Sequence, residues 1–504
     1  MARARILYAC MALTNVLPAE SVSAAPVTVY VRKAPPRGWT LAERAPNATD
    51  VEFTLAFHRP SGAASRLQDQ FWAVSDPTSK RYGRYWSPEQ IAALTRPHTA
   101  ELALVRLWLQ SGGVDDSDIN DSGDAWHVRS HAGAAEALFG TAMHYYVHEG
   151  GRRVVRQAGA FSMPATVRSV VAFVLNIATF PHPERPLRGR MGGATGDMVG
   201  IIPQTVERQY NMTDLLSRRP STATSQGVIE FDQQSFSPED LAEFTKLSGT
   251  VAGEYPASQI VGPNDPSSGG IEAMLDVEFI ATVNPRASNW FWLTPGGKDG
   301  WLYAFLSGFA AQPVLPQVIS ISYDWYESEQ CDIYARDCAA AGVDNDSEYV
   351  ERVNTEFQKL GLRGVSVIVS SGDSGAHTRT DTLCDAPTLR VEYPASSPFV
   401  TTVGATQLRA GSAKPLPSQP ALCADANFSC AGAGVEDAVS FDTAKFCSGG
   451  GFSSLSDQPQ PSYQKSAVAA YLSSGVTLPP AVMYNASGRG LPGDCSLRRV
   501  TPRD

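Results

Sequence analysis

The chain has 504 residues, of which 43% are hydrophobic, 9% aromatic and 18% charged. Its 41 basic and 51 acidic residues give a formal net charge of −10. This composition predicts a soluble globular protein with two or more domains and excludes a largely disordered chain. The acidic balance argues against nucleic-acid binding, and no apolar run is long enough for a multi-span membrane protein.

The N-terminus has the pattern of a secretory signal. Arg3 and Arg5 precede an apolar stretch at 6–13, and small residues at 22–24 offer a cleavage site. A buried first strand is the alternative. Asn-x-Ser/Thr sites occur at Asn47, Asn120, Asn211, Asn345, Asn427 and Asn485. We therefore expect a signal peptide at 1–24 and a glycosylated protein of the secretory pathway, extracellular or lysosomal.

Cysteines are concentrated in the last third of the chain. Cys10 lies in the signal, and the other seven are Cys331, Cys338, Cys384, Cys423, Cys430, Cys447 and Cys495. An oxidising compartment would allow up to three disulfides and leave one thiol. The spacing does not fix their connectivity, and the lack of a Cys-x-x-Cys pair disfavours a zinc ribbon.

Residues 25–180 predict a small mixed α/β domain. Apolar residues alternate along 51–57, which is typical of a strand, and helical spacing follows at 67–74 and 102–109. Ser87-Pro88-Glu89-Gln90 has the residues of a helix start. The stretch 181–196 is rich in proline, glycine and arginine, and predicts an exposed linker where a propeptide would be cut away.

From residue 197 to 504 apolar strands alternate with helices. Val228-Ile-Glu-Phe231, Val318-Ile-Ser-Ile-Ser322 and Val365-Ser-Val-Ile-Val369 have the composition of central parallel strands. We therefore predict an α/β fold with a doubly wound parallel sheet. This large domain contains a single histidine, His377. A Ser-His-Asp triad is therefore disfavoured, and carboxylates would have to carry any proton transfer.

One predicted helix presents two carboxylates on one face. Glu272 and Asp276 are four residues apart within Ile271-Glu-Ala-Met-Leu-Asp-Val-Glu-Phe-Ile280, so their Cβ atoms would lie about 5–6 Å apart. The surrounding residues are apolar nearly all the way round, which predicts a largely buried helix. Two buried carboxylates this close together repel each other and lose solvation, so one of them would keep its proton, and the pair could serve acid/base chemistry. A solvated acidic edge is the alternative.

Two further segments could carry chemistry. Ser370-Ser-Gly-Asp-Ser-Gly375 follows a predicted strand, where α/β folds place their sites, although a tight glycine turn capped by Asp373 explains it as well. Ser448-Gly-Gly-Gly-Phe-Ser453 would let a ligand approach the backbone closely at Gly449, Gly450 and Gly451. A plain loop is the alternative, since no Gly-Lys-Ser/Thr of a phosphate loop follows.

Several motifs together resemble the sedolisin (serine-carboxyl) peptidases. These motifs are Ala73-Val-Ser-Asp-Pro-Thr-Ser-Lys-Arg-Tyr-Gly-Arg-Tyr85, Gly269-Gly-Ile-Glu-Ala-Met-Leu-Asp-Val277, Val318-Ile-Ser-Ile-Ser-Tyr323, Val369-Ser-Ser-Gly-Asp-Ser-Gly-Ala376, the segments 393–404 and 449–453, and Tyr484-Asn-Ala-Ser-Gly-Arg489. The resemblance runs from about residue 50 to 490. It implies a subtilisin-like α/β peptidase domain behind a mixed α/β activation domain, and an enzyme that hydrolyses peptide bonds in peptides or proteins, either as a tripeptidyl peptidase or as an endopeptidase.

The resemblance also assigns roles. It implies that Glu272 is the general base, that Asp276 orients and tunes it, and that Asp373 is the protonated acid of the oxyanion hole. Residues Gly449, Gly450 and Gly451 would bind substrate. A serine late in the chain would attack the peptide carbonyl, and the raised carboxyl pKa values would make the enzyme work in acid.

The sequence departs from the family at its C-terminal end. The family places its serine in a Gly-Thr-Ser segment after Asn-Ala-Ser-Gly-Arg, and that tripeptide does not occur in this sequence. The aspartates of the family's Ca²⁺ site also fall beyond residue 504, so Ca²⁺ is expected from the resemblance and no metal ligand is assigned. We expect a sequence truncated or frame-shifted after about Pro492 and a chain inactive as written. A non-catalytic homologue that binds a partner peptidase or peptide is the alternative.

Overall fold

The computed structural model describes residues 25–180 and 199–491, apart from gaps at 213–223, 232, 295–300, 334–337, 342–344, 379–380, 382–384, 410, 426–428, 443, 445 and 457. The predicted signal peptide and the predicted linker at 181–196 lie outside the described residues. Within the described part of the chain, no helix has the length and apolar character needed to cross a membrane.

The N-terminal unit consists of short antiparallel strands and helices. Its strands are Pro26–Val31, Trp39–Arg44, Asp50–Phe57, Ile119–Asp121, Ala125–His131, Ala142–His148, Arg153–Ala158, Ala160–Pro164 and Val171–Leu175. Its helices are Ala63–Ser75, Pro88–Thr95, Thr99–Ser111, Ala132–Phe139 and Ala165–Arg168. Four of the strands form one sheet, in the order Ile119–Asp121, Ala125–His131, Asp50–Phe57 and Val171–Leu175. This is the mixed α/β domain that the sequence predicts.

Local sequence explains where these elements begin and how they are buried. Ser87 accepts a hydrogen bond from the backbone N–H of Gln90, and the Gln90 side chain accepts one from the backbone of Ser87, which forms the predicted capping box. The strand Asp50–Phe57 alternates at its start and is buried on both faces at its end. Both faces are buried there because Ala56 packs into the core of the large domain, while Leu55, on the other face, packs into the core of the N-terminal unit.

The large domain is built on a six-stranded sheet. In spatial order its strands are Ile260–Val261, Ser288–Leu293, Ser225–Glu230, Val318–Ile321, Ser366–Ser370 and Thr401–Val403, and every pairing is parallel. The helices are Pro203–Gln209, Pro238–Ser248, Ile271–Val283, Trp301–Ala310, Gln330–Ile333, Cys338–Ala341, Asp346–Leu362, Ala421–Asp425 and Lys465–Leu472. The remaining strands are Val199–Gly200, Trp325–Tyr326, Glu392–Tyr393, Thr406–Leu408, Lys414–Pro415, Ser429–Ala433, Glu436–Ala438, Gly451–Phe452 and Gly490–Leu491.

Helices cover both faces of this sheet. Val228 and Phe291 pack against Val277 of the helix Ile271–Val283 on one face. Neighbouring Ile229 packs on the opposite face, in a core to which the helices at 301–310 and 346–362 contribute. The prediction of a doubly wound parallel sheet preceded by a small mixed α/β domain is confirmed.

The prediction that the helix Ile271–Val283 is largely buried is wrong on one side. Ile271 is 70% exposed and Leu275 is 52% exposed, whereas Ala273 and Val277 are buried. The helix lies on the outside of the sheet, so one stripe faces the core and the opposite stripe faces solvent despite its apolar composition.

Disulfides link cysteines that are close in sequence. Cys331 is bonded to Cys338, and Cys423 is bonded to Cys430. Cys447 is also disulfide-bonded. These bonds agree with the three disulfides that the sequence allows in an oxidising compartment.

The N-terminal unit docks on the helix Asp346–Leu362. A Cβ atom built on Gly361 would overlap the ring of Phe71, so a glycine is required for the helix Ala63–Ser75 to pack this closely. Phe71 also meets Phe399 of the large domain edge-to-face, with ring centroids 5.1 Å apart.

A buried ionic network crosses the same interface. Asp124 of the N-terminal unit accepts a hydrogen bond from Arg59 at 2.8 Å and another from Lys359 of the large domain. Lys359 also donates to Glu356 at 2.7 Å. Burial opposes ionisation of Asp124, but the charges of Lys359 and Arg59 outweigh it and hold the pKa of Asp124 well below its ordinary value. Each domain contributes one cation and one carboxylate to this network, and the hydrogen bond from Lys359 to Asp124 joins the two pairs across the interface.

Candidate active site

The helix Ile271–Val283 carries the two predicted catalytic carboxylates. Glu272 lies in its first turn and is half-buried, and its backbone N–H donates to the side-chain oxygen of Gln234 at 3.3 Å. The N–H groups of a helix start favour a negative charge at this position. Asp276 lies one turn further on, on the same face.

Asp276 is held by a serine that follows a central strand. Ser322 comes directly after the strand Val318–Ile321, and its hydroxyl donates to Asp276 Oδ2 at 2.6 Å. Burial raises the pKa of Asp276 to about 6, against the opposing effect of the Ser322 hydrogen bond. This carboxyl group therefore changes its protonation between neutral and mildly acid pH.

A third acid, which the sequence analysis did not single out, lies in the adjoining strand. Glu230 ends the strand Ser225–Glu230, is fully buried, and accepts a hydrogen bond from the hydroxyl of Tyr323 at 2.7 Å. Burial and the carboxylates of Asp276 and Glu230 raise the pKa of Tyr255 well above its ordinary value. The signal in the sequence is a glutamate inside an apolar run, at 228–231.

Asp373 lies in the turn after the neighbouring strand Ser366–Ser370. Its side chain is exposed, and Gly372 before it has φ +98°, a conformation that favours glycine. The strands Val318–Ile321 and Ser366–Ser370 are parallel neighbours, so Ser322 and Asp373 follow them at the same edge of the sheet. This carboxyl edge is where α/β folds place their sites.

The glycine loop 449–451 packs against the turn that carries Asp373. A Cβ atom on Gly449 would overlap the carbonyl oxygen of Ser371, and the Gly449 N–H donates to the Gly372 carbonyl at 2.9 Å. The sequence predicts that a ligand approaches the backbone closely at Gly449, whereas in the structure the close approach is made by the loop that carries Asp373. Gly451 has φ +135° and pairs with Leu491 in a short antiparallel ladder.

The described residues do not fit a Ca²⁺ site. Among them, no group of three or more His, Cys, Asp or Glu side chains could hold a metal ion. Ca²⁺ needs six to eight oxygen ligands, several of them carboxylates, and the Ca²⁺ that the resemblance implies stays a prediction.

The chain combines a parallel sheet, with carboxylates at its carboxyl edge, and a separate α/β domain that precedes it, and comparison with known proteins identifies the class of both parts. Residues 37–180 match the family described as the Pro-kumamolisin activation domain. Human tripeptidyl-peptidase 1 is 31% identical over 480 residues, which cover 92% of this chain and 76% of the relative. Bovine tripeptidyl-peptidase 1 is 32% identical over 483 residues, with the same coverage.

A solved structure of Pseudomonas sedolisin, a serine-carboxyl proteinase complexed with two molecules of pseudo-iodotyrostatin, aligns with a TM-score of 0.39 and 21% identity over 60% of this chain and 71% of that one. On the similarity to tripeptidyl-peptidase 1, the chain belongs to the sedolisin family of serine-type peptidases, which are hydrolases.

Proposed function

We propose that the chain is the precursor of an acid serine-carboxyl peptidase in which Glu272 is the general base, Asp276 tunes it and Asp373 stabilises the oxyanion. The environment of Asp276 is the main support for this proposal. Asp276 lies one helical turn from Glu272 and accepts a hydrogen bond from Ser322, and burial raises its pKa. The substrates would be peptides or proteins. The enzyme would act in the secretory pathway, outside the cell or in the lysosome.

The chemistry follows from the charges. Glu272 would take the proton of a serine hydroxyl as the serine oxygen bonds to the peptide carbonyl carbon, and would return that proton to the leaving amine. Asp373 would act in its protonated form, because its O–H can then donate a hydrogen bond to the developing oxyanion. The glycine loop 449–451 would lie along the substrate backbone.

Acid conditions suit this arrangement because carboxyl groups, rather than histidine, would transfer the protons of the reaction. His377 is the one histidine that follows the linker in the sequence, and its Nδ1 atom lies 2.9 Å from Asp381. A site that depends on protonated carboxyl groups gains its active form as the pH falls towards their pKa values. The proposal therefore predicts activity in acid and its loss at neutral pH.

The nucleophile of this scheme is not assigned to a residue of this sequence, in which no Gly-Thr-Ser segment occurs. We therefore expect the chain as given to be inactive, and a version extended by transcript sequence past Pro492 to be active. A non-catalytic homologue that binds a peptidase or peptide is the second candidate, and the same missing segment favours it.

Hydrolysis at about pH 4 tests the proposal, because the carboxyl groups are then partly protonated. Both versions of the chain would be acidified and assayed for tripeptides released from the amino end and for internal cleavage of a denatured protein, which distinguishes an exopeptidase from an endopeptidase. Activity of the extended version that is lost in Glu272→Ala and in Asp373→Ala supports the proposal. Inactivity of both versions while both are folded favours the binding protein.

A further inference from the structure

The carboxylate of Glu327 is fully buried at the carboxyl side of the main sheet. It follows the short strand Trp325–Tyr326 and is 0% exposed. Burial raises its pKa, and hydrogen bonds from Ser453 and Ser454 act in the opposite direction. A carboxylate in such a place needs compensation from its surroundings.

Neutral hydrogen-bond donors supply that compensation, with Ser396 beside those of the segment 453–458. Glu327 Oε1 accepts from the backbone N–H of Ser454 at 2.6 Å and from its hydroxyl at 2.8 Å. Glu327 Oε2 accepts from the hydroxyl of Ser453 at 2.7 Å and from the amide of Gln458 at 3.1 Å. Each carboxyl oxygen is therefore held by two hydrogen bonds from the segment 453–458.

The donors belong to the segment that directly follows the glycine loop. Gln458 also donates to the hydroxyl of Ser396 at 2.9 Å, and its backbone carbonyl accepts from the N–H of Arg489 at 3.0 Å. Ser453 donates its backbone N–H to the Arg489 carbonyl at 2.9 Å. Glu327 thus lies where three segments that are distant in sequence meet.

We propose that Glu327 is a positioning residue that fixes the glycine loop 449–451 against the Asp373 turn. The glycines hold the loop only through backbone contacts, of Gly449 with Gly372 and of Gly451 with Leu491, and the side chains that follow the loop add an anchor by binding Glu327. The inference rests on the proposed function in one respect, that this loop lies along the substrate.

Hydrogen exchange of the full chain tests the placement without any need for activity. The variants are Glu327→Ala, Glu327→Gln and, as a matched control, Glu329→Gln, whose parent carboxylate accepts from Arg390 at 3.2 Å. We expect amides of 449–458 to exchange about tenfold faster in Glu327→Ala, less so in Glu327→Gln, and as in the parent in the control. The strand Ser366–Ser370 should keep its protection.

Two results would overturn the placement. One is unchanged exchange at 449–458 in Glu327→Ala. The other is an equal rise in the loop and in the strand Ser366–Ser370, which would make Glu327 a general contributor to stability.

Kinetics test the consequence for the reaction in a version that hydrolyses peptides. Glu327→Gln should raise KM about tenfold while kcat changes about twofold or less, because the loop binds substrate and does not move protons. A fall in kcat at unchanged KM would contradict the positioning role. If the proposed function is wrong, the parent protein will not hydrolyse peptides. The hydrogen-exchange measurement does not depend on activity and would still test the placement of the loop.

Discussion

At the scale of residues, burial decides how Asp276 behaves. Its folded pKa of about 6 lies above the value of about 3.9 in an unfolded chain. The folded protein therefore binds the proton more tightly, and the free energy of unfolding falls as the pH rises from about 4 to about 6. Above that range the ionised carboxylate is a constant cost to stability.

Replacement of Asp276 by Asn should remove that cost. We expect Asp276→Asn to raise the free energy of unfolding by about 3 kcal/mol at pH 7 and to change it little at pH 4. Urea unfolding at the two pH values measures this. Asp437→Asn, at an exposed pair with Arg409, is the control and should show no gain. An equal effect of Asp276→Asn at both pH values would contradict the account.

At the scale of elements, the site is assembled by loops that follow parallel strands. The Asp373 turn and the glycine loop share a backbone hydrogen bond and a contact that leaves no room for a side chain at Gly449. The geometry of one loop therefore depends on the other.

Gly449→Ala should separate these two loops. The added methyl group would meet the Ser371 carbonyl, which cannot move without the strand before it, and we expect a loss of about 1–3 kcal/mol in stability. Gly432→Ala is the control, because the nearest atoms to its added methyl group lie at 3.4 Å or more. Thermal unfolding of both variants checks this, and equal losses would argue against the close contact.

Sequence patterns predict elements better than they predict contacts. The capping box at Ser87 and the strand at 318–321 are local, and both follow from neighbouring residues. Glu230 and Glu327 bind residues 93 and 126 or more positions away, which periodicity does not report. The exposed flank of Ile271 was missed for the same reason, since apolar composition does not say which face is covered.

The same distinction holds within the candidate site. Glu272 and Asp276 could be placed on one face from the sequence because both lie on a single helix. The hydrogen bond from Ser322 to Asp276 joins residues 46 positions apart, and it exists because the helix crosses the end of a strand. Helical spacing therefore predicted the pair, and only the fold supplied its anchor.

At the scale of the whole molecule, the two domains are joined by an apolar contact and a buried ionic network. Phe71 packs where Gly361 leaves room, and Asp124 receives hydrogen bonds from Arg59 and Lys359. Because the pKa of Asp124 is held below its ordinary value, its contribution to stability is present above about pH 4 and is lost only in stronger acid.

Asp124→Asn should therefore weaken the docked state. Arg59 and Lys359 would keep Glu356 as the remaining carboxylate of this network, and we expect a loss of about 3–5 kcal/mol at pH 7. Asp437→Asn serves again as the exposed control, with a much smaller expected loss because solvent screens its pair. Calorimetric unfolding of both variants measures the difference, and similar losses would contradict a role for the buried network.

Peptide hydrolysis at about pH 4, by the chain as given and by its transcript-extended version, decides whether carboxyl groups of this chain catalyse the reaction. We expect activity in the extended version alone, with loss of about 100-fold or more in Glu272→Ala and in Asp373→Ala. Hydrolysis by the chain as given would mean that a serine already present in this sequence is the nucleophile. Activity that survives Glu272→Ala would contradict the proposed mechanism.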